Sequence, residues 1–353
     1  MEGDGIMSVE YSAVAAKLKA MYSRFLTDRD YEEMLAKKSV NDVCRYLKST
    51  PGYSDVLSDV NEHNIHRGEM ELMLYREIVD EYVRLYNFVD HTKRGMMEFW
   101  FTRHEVEFLK LEIRYIYTHE KRNSDPINQG KFDAFFETHT RINREIMRNA
   151  RSLSDCIEAC KDTPYAESLR RAQSLGADFF SMGMMLDSYY YSAMWHSIGK
   201  NLKGEQAELF KKLMGSQIDM LNLMWIYRGK KYFKFKNEII FTYLLPVRYR
   251  LTEEVIKQLV NADSIERFID LVNGSTSYGE LFENYDKGRF PEENYRYIYN
   301  KLSKSIFVNH SESMVAIYAY LNLKEVELDN ITTITEGIRY SLNADSIRGH
   351  VGI

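Results

Sequence analysis

The 353-residue sequence predicts an all-α protein built from three similar helical domains, and three observations carry that reading. Apolar residues recur with helical spacing along almost the whole chain. One short pattern occurs three times, about a third of the chain apart. No stretch alternates apolar and polar residues as a half-buried strand does; the β-branched NITTIT at 330–335 comes nearest, and the helical periodicity on both sides absorbs it.

The repeated pattern is SVNDVCRYLKSTPGYSDVL at 39–57, SLSDCIEACKDTPYAESL at 152–169 and SIERFIDLVNGSTSYGELF at 264–282. The first two align without a gap from Ser39/Ser152 to Pro51/Pro164, and the third has one residue inserted before its threonine. A period this long exceeds that of solenoids, and a third of the chain is an ordinary domain size, so tandem domains at 1–121, 122–230 and 231–353 are expected.

Within the first repeat, Tyr11, Val14, Ala15, Leu18, Met21, Tyr22 and Phe25 form one apolar helical stripe. Thr27 with Asp30, and Ser39 with Asp42, each place an N-cap hydroxyl three residues before an acid, so two short helices should follow. Pro51 disfavours helical geometry at Thr50, and the chain should break at STPGY before another helix begins. Ser152 with Asp155 repeats the second cap, and YRLT ending at Thr252 repeats RFLT ending at Thr27, both twelve residues before their serine.

A long helical pattern follows each corner, at 65–89, 178–202 and 293–309. A closing helix then ends each repeat. Those closing helices align as EFLKLEIRYIY, DMLNLMWIYRG and ELDNITTITEG, with Glu107, Asp219 and Glu327 in the first position and Lys110, Asn222 and Asn330 three residues later. Loops are expected at 121–130, 199–206 and 285–294, where Gly, Pro and polar residues gather.

Composition narrows the functional classes. Charged residues at 28% against hydrophobic ones at 44%, with five prolines, describe an ordered globular chain. Net charge is −5 with acids and bases interleaved, and no Lys/Arg tract stands out that would neutralise a run of phosphates, so nucleic acid is not an expected partner. The longest apolar run, IIFTYLLPV at 239–247, is half a membrane span and contains Pro246, and the first residues are acidic where a signal peptide is basic. A cytoplasmic chain without membrane insertion is expected. Cys44, Cys156 and Cys160 form an odd set that reads as reduced and buried.

No phosphate loop, dinucleotide fingerprint, H-E-x-x-H or E-x-x-H pair appears, and neither catalysis, a metal nor a cofactor is expected. His63, His66 and Glu69 share helical spacing, but nothing completes a metal shell around them. Cys156 and Cys160 lack the C-x-x-C spacing of redox pairs. Tyr189, Tyr190, Tyr191 and Trp195 read first as core and core margin, with a binding platform as the alternative. Thr50, Tyr53, Thr163, Tyr165, Thr276 and Tyr278 recur at the corners: the threonine hydroxyl caps the turn and the tyrosine packs over it, and three equivalent corners also suit a symmetric, ring-shaped partner.

The opening YSAVAAKLKAMYSRFLTDRDYEEMLAKKSVNDVCRYLKSTPGYSDVL, the central LDSYYYSAMW with DMLNLMWIYRGKKY, and the closing LKEVELDNITTITEGIRY together resemble the C subunit of the archaeal and bacterial A/V-type ATP synthases, the relative of the vacuolar ATPase d subunit. The resemblance implies three helical domains in a pseudo-threefold funnel. It further implies a noncatalytic rotor subunit, peripheral on the cytoplasmic face, that joins the membrane rotor ring to the D and F subunits of the central stalk, with the membrane stator subunit as a further contact. One position departs from the family pattern: Gly183 stands where an acid is expected three residues before Leu186, whereas Glu71 keeps it before Leu74. A soluble helical scaffold and an all-α enzyme with an unrecognised site are the alternative readings.

Overall fold

A computed structural model describes residues 2–61, 65, 67–91, 94–118, 136, 138–285 and 290–351. His63, His66 and the 121–130 segment therefore lie outside the described residues. Among the described residues every regular element is helical and no strand occurs.

The chain divides into two compact units, 1–91 with 126–135 and 296–353, and 92–125 with 136–295. The first unit holds α1 (Glu2–Tyr22), α2 (Asp28–Leu35), α3 (Val40–Lys48) and α4 (Arg67–Phe88), and from the far end of the chain α15 (Met314–Arg339) and α16 (Ala344–Arg348). The second holds α5 (Arg94–Thr118), α6 (Arg144–Asn149), α7 (Leu153–Ala159), α8 (Tyr165–Ser174), α9 (Phe179–Asn201), α10 (Gly204–Lys231), α11 (Asn237–Tyr243), α12 (Glu253–Asn261) and α13 (Ile265–Ser275). Helix α14 (Pro291–Asn309) begins in the second unit and continues in the first.

In the first unit α15 is the central element and packs on α1, α2, α3, α4 and α16. Its first two turns, MVAIYAYL at 314–321, are apolar and buried on every side, the pattern of a helix with no face left for water. NITTIT lies inside this helix, so packing overrides its β-branched composition. In the second unit α9 packs on α5, α8 and α10. Tyr190 is buried, and Tyr191 and Trp195 pack against Ile218, Leu245 and Val247, so this aromatic run is core and core margin.

The caps form as the spacing predicts. Thr27 and Ser152 complete reciprocal capping boxes with Asp30 and Asp155, while Ser39 and Ser264 accept from the N–H groups of Asp42 and Arg267. The loop expected at 199–206 shrinks to residues 202–203, because α9 runs on to Asn201 and α10 starts at Gly204.

At the corners the short helix and the break recur, but the next element differs. A turn occupies 51–59 in the first, α8 follows Pro164 in the second, and a 3-10 turn at Gly279–Phe282 serves the third. Pro164 occupies the position just before α8, which suits a residue that lacks an N–H to donate. At Gly52 a side chain would stand 2.5 Å from the Arg24 carbonyl oxygen, so the first corner is pressed against backbone, and only glycine fits. All three cysteines are free and buried, and burial pushes the Cys160 thiol up to about 12.

Candidate functional site

The three repeated tyrosines do one job. Tyr53, Tyr165 and Tyr278 are all buried, and each hydroxyl donates to a carboxylate on a closing helix: Tyr53 to Glu327 at 2.6 Å, Tyr165 to Glu105 at 2.7 Å and Tyr278 to Asp219 at 2.9 Å. The threonines turn the chain into that contact. Thr50, Thr163 and Thr276 each donate to a carbonyl of the preceding helix at 2.7 Å, from Leu47, Cys160 and Val272. In the second and third corners the threonine oxygen also accepts the tyrosine N–H, at 3.2 and 3.1 Å. The tyrosine-to-carboxylate bonds are the strong members of each corner, since a bond to an ionised acceptor is about twice as strong as a neutral one.

The same carboxylates hold the chain as it approaches each corner. Glu327 Oε2 accepts from Leu26 N–H at 2.6 Å, the residue before the Thr27 cap. Asp219 accepts from Tyr249, Arg250 and Leu251, just before the Thr252 cap. In the second corner Thr140 acts as a relay: its hydroxyl donates to Glu105 at 2.6 Å and accepts from Ile142 N–H at 3.1 Å, just before the Asn143 cap.

The alignment of closing helices therefore needs one correction. In the first repeat the anchoring acid is Glu105, two residues before Glu107. Glu107 is exposed and pairs with Lys110, whereas Glu105 is buried, and Leu109, four residues after it, is as buried as Leu223 and Ile331. The sequence alignment names Glu107 alone; Leu109 and Leu111 follow Glu105 and Glu107 at the same spacing, so spacing does not separate the two glutamates and burial does.

The closing helix of each sequence repeat serves the next repeat's corner. Helix α5 holds Tyr165, α10 holds Tyr278, and α15, at the end of the chain, returns to hold Tyr53. The hand-over is cyclic.

The first corner alone adds a buried cation. Lys324 is 1% exposed, pairs with Glu327 at 2.9 Å, donates to the Tyr53 hydroxyl at 3.2 Å and lies 4.4 Å from the centre of the Tyr53 ring. One turn before the anchoring acid the other repeats have Thr102 and Ser216 instead. Around Lys324, Tyr320 donates to Glu81 at 2.8 Å, and Glu77 lies 3.8 Å from Arg84. Burial raises the Glu81 carboxyl, with Lys324 opposing. It pushes Glu77 from 4.5 to about 7, with Glu81 adding to the rise and Arg84 and Lys324 opposing it.

A carboxyl that holds its proton more tightly when folded stabilises the fold most at low pH, and loses that contribution as pH rises through its folded value. For Glu77 the window runs from about 4.5 to about 7, a span equivalent to about 3 kcal/mol. Glu77→Gln, which stays neutral, is expected to gain about 2–3 kcal/mol relative to the parent chain between pH 5 and pH 8. Urea melts of both proteins across that range measure it, and parallel pH profiles would refute the assignment.

At Gly183 the Lys110 stem lies over the glycine, with a side chain there standing 3.9 Å from its Cε. The Lys110 ammonium pairs with Asp187 and Glu107. No group of three His, Cys, Asp or Glu side chains suited to a metal occurs among the described residues, and no described helix is long and apolar enough to cross a membrane.

Comparison with known proteins finds relatives along nearly the whole length. The chain is 22% identical to the C subunit of an A-type ATP synthase of Pyrococcus abyssi over 97% of this chain and 90% of that relative. It is 22% identical to the C subunit of the Methanobrevibacter smithii A-type ATP synthase, covering 93% and 84%, and 20% identical to that of Methanocaldococcus jannaschii, covering 96% and 85%. A family profile described as ATP synthase (C/AC39) subunit matches residues 14–350, a span that includes all three corners and all three anchoring carboxylates, and the chain belongs to that family.

Proposed function

We propose that the protein is a noncatalytic central-stalk subunit of a V/A-type ion-translocating ATPase, peripheral on the cytoplasmic face, which links the membrane rotor ring to the D and F subunits of the stalk and passes torque between them. The observation that carries this reading is the family match across residues 14–350. The three anchors support it mechanically. An element that transmits torque needs joints that do not slide, and each corner here is held by a buried carboxylate that grips both the tyrosine and the incoming chain.

The pseudo-threefold arrangement of domains 1–121, 122–230 and 231–353 belongs to the same proposal. Corners whose tyrosines are spent on internal anchors leave partner contacts to the exposed residues around them.

Affinity purification of the tagged chain from detergent-solubilised membranes tests the reading. Recovery of a ring subunit together with two stalk subunits is expected. Recovery of a partner from the soluble fraction alone would point to a scaffold and overturn it.

A further inference from the structure

One cationic and aromatic segment on the second unit plays no part in the anchors. Residues 225–243 read WIYRGKKYFKFKNEIIFTY, with Arg228, Lys230, Lys231, Lys234 and Lys236 and no acid before Glu238. This segment is passed over when the sequence is read for a Lys/Arg tract able to neutralise a run of phosphates. Three of these cations are engaged: Arg228 with Glu292 at 2.7 Å, Lys230 with the Ala262 carbonyl at 2.7 Å and Lys231 with the Tyr285 hydroxyl at 2.6 Å. Lys234 and Lys236 are exposed. Tyr232, Phe233, Ile239 and Phe241, beside and between them, are 51%, 49%, 39% and 39% exposed.

The backbone fixes this display. After α10 the chain folds back, with Phe233 N–H donating to the Arg228 carbonyl at 3.1 Å and Phe235 N–H to the Gly229 carbonyl at 2.9 Å. Lys234 takes φ 51, a left-handed conformation that lets the turn close. Beneath it Phe235 stacks on Phe233 at 5.1 Å and meets Tyr243 at 5.6 Å, and Phe180 packs on Tyr243 at 5.3 Å. Ile240, 1% exposed, pins α11 to this layer. The outer rings are thus held outward by a filled interior.

We propose that this face docks on an anionic phospholipid surface. A protein interface places its apolar groups at a charge-depleted centre with polar groups at the rim. Here lysines and rings alternate along the chain, so burying Phe233 against protein would desolvate Lys234 as well. In a headgroup layer both are accommodated: aromatic side chains rest at the interface while lysine ammoniums stay hydrated and meet phosphates. Glu238 on the segment and Asp263 near Lys230 offset only part of the positive charge.

The test is co-sedimentation of the full chain with vesicles, either phosphatidylglycerol mixed with phosphatidylcholine or phosphatidylcholine alone, and it needs no other subunit. Binding to the anionic vesicles at about 0.1 M salt and loss near 1 M, where charges are screened within about 3 Å, is expected. Lys234→Gln with Lys236→Gln should weaken it about 25-fold, on the order of fivefold per lysine. Phe233→Ser with Phe241→Ser should also weaken it, while Leu175→Ser, which removes a 69% exposed apolar side chain elsewhere, should not. Unchanged thermal melts would show that the variants are folded. Equal binding to neutral vesicles, indifference to the lysine pair, or binding to a soluble polyglutamate peptide without any to vesicles would overturn the proposal.

Discussion

Glu327→Ala is expected to lower the unfolding free energy by about 3–5 kcal/mol, because it removes one member of a buried ion pair and leaves the other charged in the core. Lys324 is 1% exposed, and Glu327 is its hydrogen-bonded counter-charge. The same carboxylate accepts from Tyr53 and Leu26, so the substitution also strands two donors. Glu81 remains near Lys324 but is committed to Tyr320. Removing both charges is less severe than removing one: Lys324→Met with Glu327→Gln keeps an acceptor for Leu26 or Tyr53 and should lie well above Glu327→Ala in stability. Urea unfolding followed by circular dichroism measures both variants. A cost below about 1 kcal/mol for Glu327→Ala would mean that this carboxylate does not anchor the corner.

Much of this architecture is legible in the sequence because it is encoded locally. The caps at Thr27, Ser39, Ser152 and Ser264 need only a hydroxyl and the N–H three residues on, and all four form. The long helices follow from periodicity alone. The function of the corner tyrosine is not local. Tyr53 and its carboxylate are 274 residues apart, and no spacing rule links them. The second corner is obscured further, because the cap that precedes it is Asn143 rather than threonine and stands nine residues before Ser152 instead of twelve.

The segment after each break is also beyond the repeat pattern. The threonine-to-carbonyl and tyrosine-to-carboxylate bonds are shared, yet a turn, an α-helix and a 3-10 turn follow them. Gly52 must press on the Arg24 carbonyl, whereas Pro164 leads into apolar spacing that continues a helix through Ala166, Leu169 and Ala172. The basic tract at 228–236 is hard to see in the sequence because aromatic residues split it into pairs and singles. Net charge, averaged over the chain, hides such a patch.

Asp219→Ala is expected to cost about as much as Glu327→Ala, roughly 3–5 kcal/mol, by a different route. No buried cation is left behind here. Instead one carboxylate accepts four bonds, from the backbone N–H groups of Tyr249, Arg250 and Leu251 and from the Tyr278 hydroxyl, at distances from 2.7 to 3.2 Å. Asp219, Leu251 and Tyr278 are all buried, so water does not replace the lost acceptor without opening the corner. Burial raises the Asp219 carboxyl, and those same four donors oppose the rise, because each bond favours the ionised form. Asp219→Asn separates the charge from the geometry: one amide oxygen serves two of the four donors, while its NH2 faces the others with a donor of its own, so an intermediate to equal loss is expected. The third corner should loosen first, and faster amide hydrogen exchange at Leu251 and Tyr278 would report it ahead of global unfolding. If both variants melt within about 0.5 kcal/mol of the parent chain, the carboxylate clamp is dispensable, and the equivalence of the three corners is one of shape alone.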